Sequence, residues 1–227
     1  MKNSNLKNQK SIVENSGKNK KPEKEEFSYS IYNKNNFKKF CELKENKTAK
    51  LILQKDLPSE FDAELCEFLN LFRRKTIDEK SEWEFYIDYE NNEIIHCLHG
   101  KSTKVKDWIH SGLMKNKKIL SIHNHIKGTY SAPSCENFEI LNHEFEDYEI
   151  ICAEKEYWVL EAKGKFDDNW ICDVKKEIYK IFKKCDSLDG FPDEKVQLSK
   201  NELYKTELEI LINNLKSNIS LRQKEYG

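Results

Sequence analysis

Ile119-Leu120-Ser121-Ile122-His123-Asn124-His125 is a short apolar run that ends in two histidines. Aliphatic residues bounded by Lys117-Lys118 on one side and a polar loop on the other read as a buried strand. Successive side chains on a strand alternate faces, so His123 and His125 aim together out of the strand end. After Gly128, Ala132-Pro133-Ser134-Cys135-Glu136-Asn137 reads as a helix start with Ser134 as its polar N-cap. Two imidazoles on one strand end, beside an oxygen donor at a helix start, have the make-up of a zinc site. A lone histidine there would read as an ordinary polar strand terminus; the pair, with the segment after it, favours a site.

Upstream, Glu82-Trp83-Glu84-Phe85-Tyr86-Ile87-Asp88 and Glu93-Ile94-Ile95-His96-Cys97-Leu98 are two β-rich runs joined by Tyr89-Glu90-Asn91-Asn92, a hairpin signal. Val105 to Asn116 reads as a helix carrying Val105, Trp108, Ile109, Leu113 and Met114 on one side. Further back, Pro58-Ser59-Glu60-Phe61 opens a helix whose Phe61, Leu65, Phe68, Leu69 and Phe72 recur at steps of three and four, a core stripe. Arg73-Arg74-Lys75 in its last turn suits the helix dipole. Ala49 to Leu53 reads as a first short strand. Downstream, a helix runs from Ser134 to Phe145, and Tyr148 to Ala153 with Tyr157 to Glu161 form a second hairpin.

This mixture predicts a compact α/β domain over 48–164, a mixed sheet flanked by helices. Residues 1–26 are Lys- and Asn-rich with almost nothing to bury, and read as a disordered tail. Residues 27–47 carry aromatics without periodicity and form a poorly defined N-terminal segment. Residues 165–227 read as a helical extension of two helices. Asp168 caps the first, and a capping box in Ser199-Lys200-Asn201-Glu202 opens the second, which carries apolar positions to Ile219. Asp189-Gly190-Phe191-Pro192 is the turn between them. Such a pair packs back on the domain, or supplies a surface for a partner or for self-association.

Lys+Arg 39 against Asp+Glu 40 leaves a formal charge of -1 in 227 residues, so no global pull toward nucleic acid or anionic membrane follows. The Lys-rich tail reads as solvated rather than as a nucleic-acid arm. Seven cysteines without a CxxC favour reduced thiols over a disulfide framework. No apolar signal core or membrane-length run is visible, so the expected setting is soluble and cytoplasmic. His96, His99, His110 and His143 read as ordinary satisfied histidines, the first two at the surface on opposite strand parities. No Walker loop, GxGxxG or GxSxG occurs.

His123-Asn124-His125, the Pro133-Ser134 helix start and an acidic hairpin upstream, in that order, resemble the JAMM/MPN (JAB) zinc metalloprotease family. The likeness covers about half the chain, from Phe61 to Lys163. That family's pattern is a Glu on an early strand, then His-x-His, then a Ser and an Asp three residues apart. The resemblance implies His123 and His125 as zinc ligands and Glu82 as acid/base, with Glu84 the alternative at the same parity. Aligning on the serine makes Ser134 the oxyanion-stabilising residue and puts Asn137 at the third ligand position. Aligning on loop length from His125 lands on Pro133 and Glu136 instead. Cys135 lies beside both, but the family pattern places no ligand there. Ile126 stands where the family usually has Pro.

What the resemblance implies is a zinc-dependent metallopeptidase that hydrolyses a peptide or isopeptide bond. Its substrate would be a peptide or protein, a ubiquitin-like conjugate among them. The other expectation is a catalytically inactive MPN-like scaffold that binds partners. Position 137 separates the two, because an amide oxygen is a poorer zinc ligand than a carboxylate.

Overall fold

A computed structural model describes residues 28–100, 114, 116–141, 146–164, 169–170, 172–177, 180, 205–214 and 219–227. The protein is a mixed α/β molecule, and among the described residues the strands form one seven-stranded sheet. Its strands are β1 (Ser28–Tyr32), β2 (Trp83–Asp88), β3 (Glu93–His99), β4 (Ile119–Asn124), β5 (Glu146–Cys152), β6 (Glu156–Ala162) and β7 (Ile219–Glu225). They lie in the order β1-β3-β2-β4-β5-β6-β7. The β1–β3 and β4–β5 pairs are parallel and the other four are antiparallel.

β2 and β4 are buried at every position, as befits central strands covered on both faces. On one face lie α1 (Lys34–Glu42) and α2 (Ala63–Thr76). Leu65, Leu69 and Phe72 of α2 are sealed against Phe85, Leu120, Ile122 and Ile150 of the sheet. Each such side chain contributes about 1.5–3 kcal/mol by leaving water. Phe85 is the hub of an aromatic cluster, with ring centroids 4.7 Å from Phe40, 5.5 Å from Phe68 and 5.7 Å from Phe72. On the other face α3 (Cys135–Leu141) packs Phe138 and Leu141 with Trp158, Leu160, Trp170, Val174 and Leu211.

α2 starts at Ala63, later than the Pro58 signal, because the Asp62 carboxylate accepts the Leu65 N–H at 2.8 Å and caps it there. Both predicted hairpins form. Other expectations are corrected. Ala49 to Leu53 is not a strand: Leu51 exchanges two backbone hydrogen bonds with Gly227, and the chain then turns through a 3-10 helix at Gln54–Asp56. In the segment read as poorly defined, residues 28–42 form β1, which extends the sheet, and α1, which buries Phe40 in its core. The C-terminal extension is not wholly helical. Ile219, read as the last position of a helical stripe, opens β7, which pairs with β6 over its whole length. His96 is buried rather than at the surface.

The tail 1–26, most of the 105–116 helix, Phe145, Asp168, the 189–192 turn, the Ser199–Glu202 box, His110 and His143 lie outside the described residues. Among the described residues no helix is long and apolar enough to cross a membrane.

Candidate metal centre

The alternation of β4 divides its residues between the two faces. Leu120 and Ile122 enter the α1–α2 core, while Ser121 and His123 face the side that carries α3. The antiparallel register of β2 and β4 sets Glu84 directly across from His123. Glu82, two residues before Glu84, shares its strand parity, and its charge acts on His123. Two carboxylates and two imidazoles therefore share one patch of sheet. Glu82, Glu84 and His123 are all buried, and the two imidazole rings lie 5.1 Å apart, tilted by 45°.

Asn124, between the histidines, points to the opposite face and ties down the start of β2. Its Oδ1 accepts the Trp83 N–H at 2.8 Å and its Nδ2 donates to the Ser81 carbonyl at 3.3 Å. These two bonds straddle Glu82. Close by, His99 stacks on Trp83 with centroids 4.0 Å apart, and its Nε2 lies 2.7 Å from the Ser81 hydroxyl.

Both candidate ligand rings are held by their Nδ1 atoms. His125 Nδ1 lies 2.9 Å from the Tyr130 carbonyl, which can only accept, so the ring donates there. The loop that returns Tyr130 to this ring turns at Gly128, whose φ of 82° suits glycine, and is closed by the Thr129 N–H on the Ile126 carbonyl. His123 Nδ1 lies 3.2 Å from the Glu149 carboxylate on β5, again an acceptor. Each ring thereby directs Nε2 away from these partners, as metal-ligating histidines do.

Ser134 and Asn137 form one side of a capping box at the start of α3. Asn137 Oδ1 accepts the Ser134 N–H at 2.7 Å and its hydroxyl at 3.0 Å, and the Asn137 N–H donates to the Ser134 carbonyl at 3.1 Å. The amide nitrogen of Asn137 donates to Glu149 Oε1 at 2.8 Å. With an N–H on one side and a carboxylate on the other, the amide can sit only one way round. Glu136 is exposed, turned away from this buried group, and Cys135 is buried among the apolar residues around α3. The Cys135 N–H donates at 3.0 Å to Glu207, which reaches across from the 205–214 segment.

The electrostatics separate the two histidines. Burial opposes a charged His123, but the hydrogen bond and charge of Glu149 and the charges of Glu84 and Glu82 outweigh it and raise its pKa. Burial, reinforced by His123, depresses His125 to about 3, so that ring is neutral.

The two imidazoles suit a zinc ion. The third ligand is less ready, because Asn137 Oδ1 already serves Ser134 and is available only if the Ser134 hydroxyl lets go. Among the described residues no group of three or more His, Cys, Asp and Glu is gathered to hold a metal. Glu149 is the site residue that sequence reasoning missed. Its signal was a carboxylate just before the apolar Ile150-Ile151-Cys152 of β5, but its alignment beside His123 depends on the pairing of β5 with β4. Compared with known proteins, the chain matches no family model, no curated protein and no solved structure.

Proposed function

We propose that this chain is a zinc-dependent metallopeptidase with a JAMM/MPN-like fold that hydrolyses peptide or isopeptide bonds. The observation that carries the reading is the anchoring of both imidazoles: His123 to Glu149 and His125 to the Tyr130 carbonyl each donate from Nδ1, leaving Nε2 as the nitrogen that could meet a metal. His123 and His125 would hold the ion, with the Asn137 amide oxygen as the protein's third donor. Bound zinc supplies Lewis acidity, lowering the pKa of its water toward about 7 and polarising the scissile carbonyl. Glu82 would take a proton from the attacking water and return it to the leaving amine, with Glu84 the neighbouring alternative. The Ser134 hydroxyl, once free of Asn137, donates to the developing oxyanion. A polypeptide, including one carrying a ubiquitin-like conjugate, is the substrate class this chemistry fits.

The engagement of Asn137 with Ser134 and Glu149 favours a second reading, a catalytically inactive scaffold on the same fold. Elemental analysis of the purified chain tests the first: it should carry about one zinc, as a single site of this type would. His123→Ala with His125→Ala should remove it. A wild-type chain that takes up no zinc overturns the enzyme reading. If zinc binds, Glu82→Gln should lower cleavage of a ubiquitin-like conjugate by about 10²–10⁴-fold, and undiminished cleavage would overturn the acid/base assignment.

A further inference from the structure

We propose that Glu149 is the positioning carboxylate of the His123–His125 centre, and that Asn137 is matched to it so that the two share a single negative charge. This rests on the zinc reading above. A single oxygen, Glu149 Oε1, takes donors from two elements: His123 Nδ1 of β4 at 3.2 Å and Asn137 Nδ2 of α3 at 2.8 Å. The carboxylate is 1% exposed, and its other oxygen, Oε2, is buried without a hydrogen-bond partner among the described residues. A buried anion so incompletely satisfied is costly unless positive charge lies near it. Among the described residues its one ion-pair partner is His123. A dication held at Nε2 would add positive charge on the far side of that ring.

The identity of residue 137 follows from the same geometry. An aspartate there would set a carboxylate oxygen where Asn137 Nδ2 now lies 2.8 Å from Glu149, replacing a donor with an acceptor that repels it. Asn137 avoids that conflict and turns a donor to the anion. It also links Ser134, Glu149 and His123 in one chain of hydrogen bonds spanning α3, β5 and β4. Glu149 thus fixes the His123 ring as the Nδ1–H tautomer with Nε2 outward, and its charge makes that nitrogen a better donor.

The test measures zinc affinity, by competition with a chromophoric chelator, and metal-free thermal stability. The chains compared are wild type, Glu149→Gln, Asn137→Asp and the double variant. Glu149→Gln keeps the shape and an acceptor oxygen but removes the charge. It should weaken zinc binding by about 10–100-fold while the metal-free protein melts no lower than wild type. Asn137→Asp alone should lower the metal-free melting temperature, and adding Glu149→Gln should restore it. Wild-type zinc affinity in Glu149→Gln, or strictly additive effects of the two substitutions on metal-free stability, overturns the proposal while leaving the zinc reading in place. A wild-type chain that binds no zinc overturns both.

Discussion

Whether an imidazole can take a metal turns on where its other ring proton goes. At His123 and His125 that proton is committed, to Glu149 and to the Tyr130 carbonyl. The same accounting applies to a carboxylate further out. Burial raises the pKa of Glu207, the Cys135 N–H partly opposes this, and the charge of Glu136 adds to the rise. The folded state therefore holds this proton to a higher pH than the unfolded chain. Below the ordinary value of 4.5 both states are protonated and the group costs nothing. As pH rises past that value the unfolded chain ionises first, and stability falls until the folded pKa is passed. Glu207→Gln still accepts from Cys135, so it should unfold at higher denaturant than wild type at pH 7. That advantage should vanish below pH 4.5, which equilibrium unfolding at the two pH values measures.

Among elements, α2 shows how a local signal and a tertiary contact set one boundary. Asp62 Oδ1 caps the helix, and its Oδ2 accepts from Asn92 in the β2–β3 turn at 2.7 Å. Asp62→Ala should cost about 0.5–2 kcal/mol in chemical denaturation, since the N-cap bond is lost. The apolar stripe of α2 could be read from periodicity, and Leu65, Leu69 and Phe72 are fully buried. Both hairpins were legible for the same reason, that β-rich runs flanked polar turns. The start of α2 was not, because the Pro58-Ser59 signal lies ahead of Asp62, the cap that the fold uses. The choice of Asp62 leaves Leu65, Leu69 and Phe72 facing the sheet.

For the molecule as a whole, β7 closes one side of the sheet. Ile219 and Tyr226 are buried, the Tyr226 hydroxyl donates to the Ala153 carbonyl at 3.1 Å, and the Arg73 guanidinium lies 4.1 Å over the Tyr226 ring. Removing residues 219–227 should cost about 3–6 kcal/mol from the two buried side chains alone. Hydrogen exchange should then show the β6 amides losing protection, because their partner strand is gone. Unchanged protection in β6 would mean that this pairing contributes little in solution.

By itself the sequence determined what is local. The apolar run of β4 set out a buried strand, the spacing of His123 and His125 put both on one face, and Ser134 marked the start of α3. Periods of two and 3.6 residues are carried by neighbours in the chain, so they survive without any knowledge of the fold. Tertiary structure decided the rest: that Glu84 lies across from His123, that Ile219 opens a strand, and that Glu149 joins His123 to Asn137. Those facts depend on which strands pair and in what register. Such pairing is fixed by burial summed over the whole sheet, and no single stretch of chain contains that sum.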